Sequence, residues 1–435
     1  MRANLWFRPA VWIFTLSALA VILLSYERSW SQNALSERLG WLFSGGADGA
    51  RVILGTISGA TVAAATLSFS IIFVAVLQTA NAYSPRIMRL YVGDTANQHV
   101  LGIFTGTFLF SLLILRAVRT ADEGVFVPTL GIAVAILLSL LSLGALIYFI
   151  DHVAHSVEVD NIIGLIMRES VDLLDELFPG ALGQPYPLEI PPNLPKDLPA
   201  VVTAGSSGYI QYIEPETLLA TATERDLLVR LERLSGDYVL SGTTPLARVW
   251  PAAALDESAT QMIRDAFQLG TERTLVQDLF FGVRQLADIA LKAISPAVND
   301  PSTAVNSIDA LATLLNKMIR LEPISPYRCD AAGNLRVIAP GPTFETTLDL
   351  AFTQIRQYAA DDYACTLRLI EVCGELAYAT RRPAYRVALW RHVSMVAHSA
   401  NQNFVQPGDR AEINKRLLLA AENLEQDVQP LLLAG

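Results

Sequence analysis

No Walker loop, HExxH or GxSxG occurs anywhere in the 435 residues. Phosphate-cradling, zincin and serine-hydrolase chemistry therefore have no motif to stand on. Cysteine is scarce: Cys329, Cys365 and Cys373 are an odd number without CxxC spacing. Neither a zinc site nor a disulfide framework is expected, and reduced thiols fit a cytosolic compartment. Lysine is absent from the first 150 residues and again between Lys196 and Lys292. Residues 1–150 hold nine Arg against six acidic residues, net +3, so the remaining 285 carry −13 of the total −10. An acidic soluble part argues against nucleic acid, whose phosphates need clustered Lys and Arg. It argues equally against a domain lying flat on anionic lipid.

What is abundant is apolar. The hydrophobic fraction is 52%, above the usual share for a soluble chain. Four stretches lack Asp, Glu, Lys, Arg and His: Pro9–Tyr26, Val52–Pro85, Val100–Leu115 and Gly124–Ile150. Roughly 20 apolar residues cross the hydrocarbon core as a helix, so four transmembrane helices are expected, at about 9–26, 52–80, 100–118 and 125–150. The second is longer than one straight span requires. The first has no small-x-small cleavage site after its apolar core and reads as a retained helix.

With the N-terminus inside, Arg2, Arg8, Arg86 and Arg89 are cytosolic, and Arg28, Arg38, Arg51, Arg116 and Arg119 lie outside. The count favours neither orientation. Most of the outer Arg, however, have Glu27, Glu37, Asp48, Asp122 or Glu123 close by, and free thiols favour the cytosol. The expectation is a multi-pass protein of the bacterial inner membrane with both termini cytosolic.

Between Gly55 and Ser70 the second span reads GTISGATVAAATLSFS. Gly55 and Gly59 form a GxxxG pair, and Gly102 with Gly106 forms another on the third span. Small residues let helix backbones approach closely in lipid; small hydroxylated ones such as Ser68 and Ser70 also suit a polar lining. Past the fourth span come Asp151, His152, His155 and Glu158. At 100° per residue Asp151, His155 and Glu158 share one helical face. That face is a candidate ion or pH site, or simply a helix turning polar as it enters water.

A connecting helix is expected over 156–178, then a proline-rich linker over 179–200. Residues 201–252 read as short strands punctuated by Gly208, Gly236 and Gly242. Their glycine–tyrosine pattern resembles the small β-barrels that carry biotin or lipoate, but no lysine is there to attach a cofactor. No cofactor is expected. Residues 253–435 read as a helical domain, with helices near 344–360, 362–380, 384–403 and 410–428. The densest polar chemistry is TERTLVQDLFFGVRQLADIALKAISPAVNDPSTA. Asp278, Gln285, Asp288 and Lys292 fall along one side of a helix, and Arg284 is placed to pair with Asp288. Asp300 reads as an N-cap with Pro301 in the first helical turn. The rival reading makes Arg273, Gln277, Asp278, Arg284, Asp288, Asn299 and Asp300 a cytosolic site, with oxygen ligands for a hard cation.

SFSIIFVAVLQTANAYSPR, QHVLGIFTGTF, YFIDHVAHSVEVD and the Arg273–Ala304 segment together resemble a family of predicted bacterial membrane proteins, domain of unknown function 2254. The resemblance implies a membrane location and this gross layout, without an activity. The expected fold is therefore an α-helical membrane domain plus a cytosolic α+β region, a small barrel-like β module followed by helices. The expected function is a homo-oligomeric conduit for an ion or small solute, gated or regulated by the cytosolic domain. A membrane-tethered enzyme with a cation site near Asp278–Asp300, or a scaffold recruiting a cytosolic protein partner, are the rivals.

Overall fold

The computed structural model describes residues 6–29, 46–82, 94–119, 126–156, 158–177, 183–186, 194–322 and 325–433. Arg2, Arg38, Arg86 and Arg89, with Glu37, Asp122 and Glu123 and half of the proline-rich linker, lie outside the described residues. The chain forms two compact units, residues 1–161 and 162–435.

The first unit consists of α1 (Phe7–Ser29), α2 (Ala47–Ala82), α3 (Thr95–Ala117) and α4 (Thr129–Ser156). All four are long and apolar enough to cross a membrane. In lipid a helix is the form that satisfies its own backbone groups. At about 1.5 Å per residue, α2 with its 36 residues exceeds the hydrocarbon thickness. The central helix is α3, which packs on α1, α2 and α4. It begins at Asp94, whose carboxylate accepts from the Ala96 N–H at 2.8 Å. Helices α1 and α3 run parallel: Arg8 and Trp12 meet His99, Trp12 covers Gly102, and Leu16 covers Gly106. At the other end, buried Glu27 of α1 accepts from the Leu130 N–H at 2.6 Å. That carboxylate sits at the positive N-terminus of α4, where an anion is favoured.

Helix α5 (Val159–Glu176) follows. The second unit then contains the strands β1 (Gln184–Pro185), β2 (Ala200–Thr203), β3 (Gly208–Ile213), β4 (Leu228–Leu231), β5 (Tyr238–Val239), β6 (Pro245–Trp250), β7 (Phe267–Gly270), β8 (Tyr327–Cys329) and β9 (Leu335–Ile338). No barrel closes among the described residues. Instead a six-stranded sheet runs β1-β8-β9-β4-β6-β2, and a separate three-stranded sheet runs β5-β3-β7. The barrel-like expectation is thus corrected to an open mixed sheet, in which β4 pairs parallel to β9, Val229 against Val337. The reason is that β4, paired antiparallel to β6 on one side, takes on its other side a strand more than a hundred residues further along. Helices α6 (Pro215–Glu224) and α7 (Glu257–Asp265) join the same core, where Leu218 and Ile263 pack with Val202, Val229 and Val249.

The rest is helical: α8 (Leu279–Ala293), α9 (Pro301–Arg320), α10 (Phe344–Tyr358), α11 (Tyr363–Tyr378), α12 (Pro383–Asn403) and α13 (Pro407–Leu424). Their starts carry local signals. Asp278, Asp300, Thr343 and Asp362 each accept a backbone N–H from the first turn, while Pro383 and Pro407 open the last two helices where the missing N–H costs nothing.

Candidate functional site

Two polar constellations stand out, one in each unit. In the membrane unit, α3 begins and α4 ends at the same end of the bundle. There His152 Nε2 lies 2.6 Å from Asp94 Oδ2, with Tyr148 stacked on the imidazole at 5.6 Å between centroids. Asp94 also accepts from Asn97 Nδ2 at 3.5 Å. The Asp151–His155–Glu158 face is looser. His155 Nδ1 is bonded to its own helix at the Asp151 carbonyl, 2.8 Å away, with the Asp151 carboxylate at 3.5 Å. Glu158 accepts from Asn161 at 3.3 Å. Asp151, His155 and Glu158 are all exposed. The buried-edge pair is therefore His152 with Asp94. Sequence reasoning missed Asp94 because 58 residues separate it from His152.

The two GxxxG pairs have opposite surroundings. A Cβ on Gly102 would come within 2.6 Å of the Trp12 ring, and one on Gly106 within 2.8 Å of Leu16, so this pair seats α1 on α3. A Cβ on Gly55 or Gly59 would meet nothing within 4 Å. Both are exposed on the outside of the bundle. Ser70 also faces outward and bonds the Thr66 carbonyl at 2.9 Å, whereas Ser68 is wholly buried in the bundle.

In the second unit, Arg273 holds Asp278 by two parallel bonds, Nε to Oδ2 at 2.7 Å and Nη2 to Oδ1 at 2.8 Å. The same carboxylate accepts from the Phe281 N–H at 3.0 Å and so caps α8. It is 2% exposed. Burial pushes its pKa up, and the Arg273 guanidinium and the cap bond draw it back down. Gly236, at φ +92°, lies against this carboxylate: a Cβ there would sit 2.0 Å from Asp278 Oδ2. Gln277 acts as a strand mimic. Its Oε1 accepts from the Ile213 N–H at 2.8 Å and its Nε2 donates to the Ile213 carbonyl at 3.0 Å. Gln277 and Asp278 border an apolar cavity of about 90 Å³ with Leu231, Leu279 and Pro340 in its walls.

The remaining members of the segment are elsewhere. Arg284 bonds Gln354 of α10 and lies 4.0 Å from Asp288. Asn299 takes a left-handed conformation, φ +51°, in the turn before α9. Asp300 caps α9 through the Thr303 N–H at 3.1 Å and the Thr303 hydroxyl at 2.6 Å. Those bonds hold its pKa below the ordinary carboxylate value. The 15 residues of α8 separate Asp278 from Asp300 by about 22 Å at 1.5 Å per residue. The two carboxylates cannot share one ion. Among the described residues no group of three or more His, Cys, Asp or Glu could hold a metal.

Capping makes a prediction for Asp300. Asn substitutes well for Asp at an N-cap and Ala does not, so Asp300→Ala should cost about 0.5–2 kcal/mol and Asp300→Asn little. Thermal unfolding of the two variants decides it. A large loss with Asn would show that the charge does more than cap.

Four apolar helices, with a mixed-sheet and helical unit after them, define an integral membrane protein with a large extramembrane part. The chain matches the family model described as predicted membrane protein, domain of unknown function 2254, over residues 2–375, and it belongs to that family. Uncharacterised proteins of Mycobacterium bovis and Mycobacterium tuberculosis are 30% identical to it over 391 residues, covering 88% of this chain and 74% of theirs. No solved structure matches.

Proposed function

We propose that this protein is a homo-oligomeric conduit for an ion or small solute in the bacterial inner membrane, with both termini cytosolic and the second unit gating or regulating it. One observation carries the reading, the outward face of α2. Gly55, Gly59, Ala63, Thr66 and Ser70 recur at helical spacing on one side of that helix and are all exposed. The outward faces of α1 and α4 carry Phe14, Val21, Ile22, Leu137, Leu140 and Ile147, and on α2 the stripe is bounded along the helix by bulky Val52, Phe73 and Leu77. Bulky apolar side chains suit lipid. A stripe of Gly, Ala and hydroxyls suits close approach by a like helix and a polar lining around a shared axis. The cation-site enzyme draws no such support, since Asp278 is taken up by Arg273 and its helix cap, and Asp300 by Thr303.

The test is Gly59→Leu. With nothing within 4 Å of its Cβ inside the protomer, the substitution should leave the protomer folded. It should still break the oligomer on a sizing column and abolish solute flux in vesicles. A variant of wild-type size and flux would remove the α2 stripe from any assembly interface.

A further inference from the structure

The interior of the membrane unit is polar along much of its length. Ser58, Ser68, Asn97, Gln98 and Ser111 are each at most 5% exposed. Ser58 Oγ, Ser68 Oγ, Ser111 Oγ, Asn97 Oδ1 and Gln98 Nε2 find no hydrogen-bond partner among the described residues. Other hydroxyls of the same helices behave differently. Thr15, Ser17, Ser25, Thr56, Thr66, Ser70 and Thr105 each bond the carbonyl four residues back. That is the ordinary way a hydroxyl is satisfied in an apolar helix. Buried Thr61 and Ser142 bond in this way too, but Ser58, Ser68 and Ser111 do not.

These groups are arranged in lines. On α3, Asn97, Thr107 and Ser111 share a face with Val100, Phe104 and Ile114. On α2, Ser58 and Ser68 share a face with Leu54, Ala65 and Ile72. The two faces meet, since Ala65, Ile72, Val100 and Phe104 form one cluster and Leu54 and Ile114 another. From α4, Ser142 reaches Thr107 at 3.4 Å. Asn97 to Ser111 spans about 21 Å at 1.5 Å per residue. At one end the line joins Asn97 to Asp94 and through it to His152.

Leaving a buried polar group unpaired costs about 1–3 kcal/mol, and five such groups in one small bundle need a partner. Water is small enough to thread between packed side chains and bonds about three polar neighbours when buried. We propose that each protomer holds a hydrated half-channel inside its own bundle, open at the Asp94–His152 pair and lined by Asn97, Ser68, Thr107, Ser142 and Ser111. Its cargo is water and the proton that a hydrogen-bonded water line passes along. It ends at the apolar layer of Leu54, Ile57, Phe110 and Ile114. This path is separate from any axis between protomers and does not depend on the oligomeric reading.

The experiment uses the full chain in vesicles and silver ion, which reacts with thiolate and travels in water. The native thiols are buried, and wild type reports their background. Silver added on the face carrying His152 should consume the thiol of Ser68→Cys and Ser111→Cys at least ~10-fold faster than that of lipid-facing Phe14→Cys, because thiolate forms only where water reaches. Equal rates would overturn the half-channel. The alanine variants give a second readout that needs no reagent. Ser68→Ala and Ser111→Ala should lower the melting temperature if the hydroxyls bond water. If the interior is dry, removing an unpaired hydroxyl raises it, and that outcome also sinks the proposal.

Discussion

Arg273→Ala is expected to destabilise the second unit by about 3–5 kcal/mol, the cost of stranding a buried charge. The substitution leaves the Asp278 carboxylate, 2% exposed, with its helix-cap bond but no counter-ion. Two variants separate the charge from the contact. Adding Asp278→Asn to Arg273→Ala should recover most of the loss, because an amide still caps α8 and carries no charge to strand. Gly236→Ala should be harmful by a different route. Its Cβ would overlap Asp278 Oδ2 at a backbone φ of +92°, so that cost should shrink once the carboxylate has already been displaced. The pH dependence has a definite sign. Burial raises the folded pKa of Asp278, and a group raised in the fold gives stability at low pH that is lost as pH rises through its folded value. The Arg273→Ala deficit should therefore grow with rising pH across and above the carboxylate range. Denaturant unfolding of the purified protein at several pH values measures it. A deficit that ignores both pH and Asp278→Asn would show that Arg273 matters for packing on Phe281, over whose ring it lies at 5.3 Å, rather than for charge.

What the sequence made legible was whatever short range determines. Uninterrupted apolar runs mark α1 to α4, since a bilayer asks only for length and the absence of charge. Asp300 followed by Pro301 marks the start of α9 with chemistry confined to one turn. Asp278 shows where that reasoning stopped. It was placed along one side of a helix with Gln285 and Asp288, yet it is the cap in front of that helix and is held by Arg273, five residues earlier. The strands β8 and β9 hold three and four residues, too few for a period to register. Their order comes from β4 through a parallel pairing that no local pattern encodes. The same limit hid Asp94. A single acid before an apolar helix reads as a cap, and only the antiparallel return of α4 brings His152 to it. Nor can a GxxxG spacing say which neighbour it serves. Gly102 and Gly106 are filled from within the protomer, and Gly55 and Gly59 are not.

That difference yields the last prediction. Gly106→Leu, and Gly102→Leu with it, should prevent α1 from seating on α3, whereas Gly59→Leu should spare the protomer. At Gly106 a single Cβ already comes within 2.8 Å of Leu16 and 3.3 Å of the Trp12 carbonyl oxygen. The side chain can move aside and the backbone oxygen cannot. Overpacking of this kind costs about 1–3 kcal/mol when the site can adjust, and more when backbone must shift. The loss should be compounded at the end of the interface, because Trp12 Nε1 donates to His99 Nδ1 at 2.9 Å only while α1 lies close to α3. Melting temperature in detergent, with proteolysis near the start of α1, gives the measure. Both glycine variants should melt well below wild type and free α1 to protease. Leu16→Ala should partly rescue Gly106→Ala, since it empties the space the new methyl needs, but should not rescue Gly102→Leu, which strikes the Trp12 ring. If Gly102→Leu and Gly106→Leu melt like wild type, α1 is not held on α3 by close backbone approach, and small residues in these spans serve some purpose other than packing within the protomer.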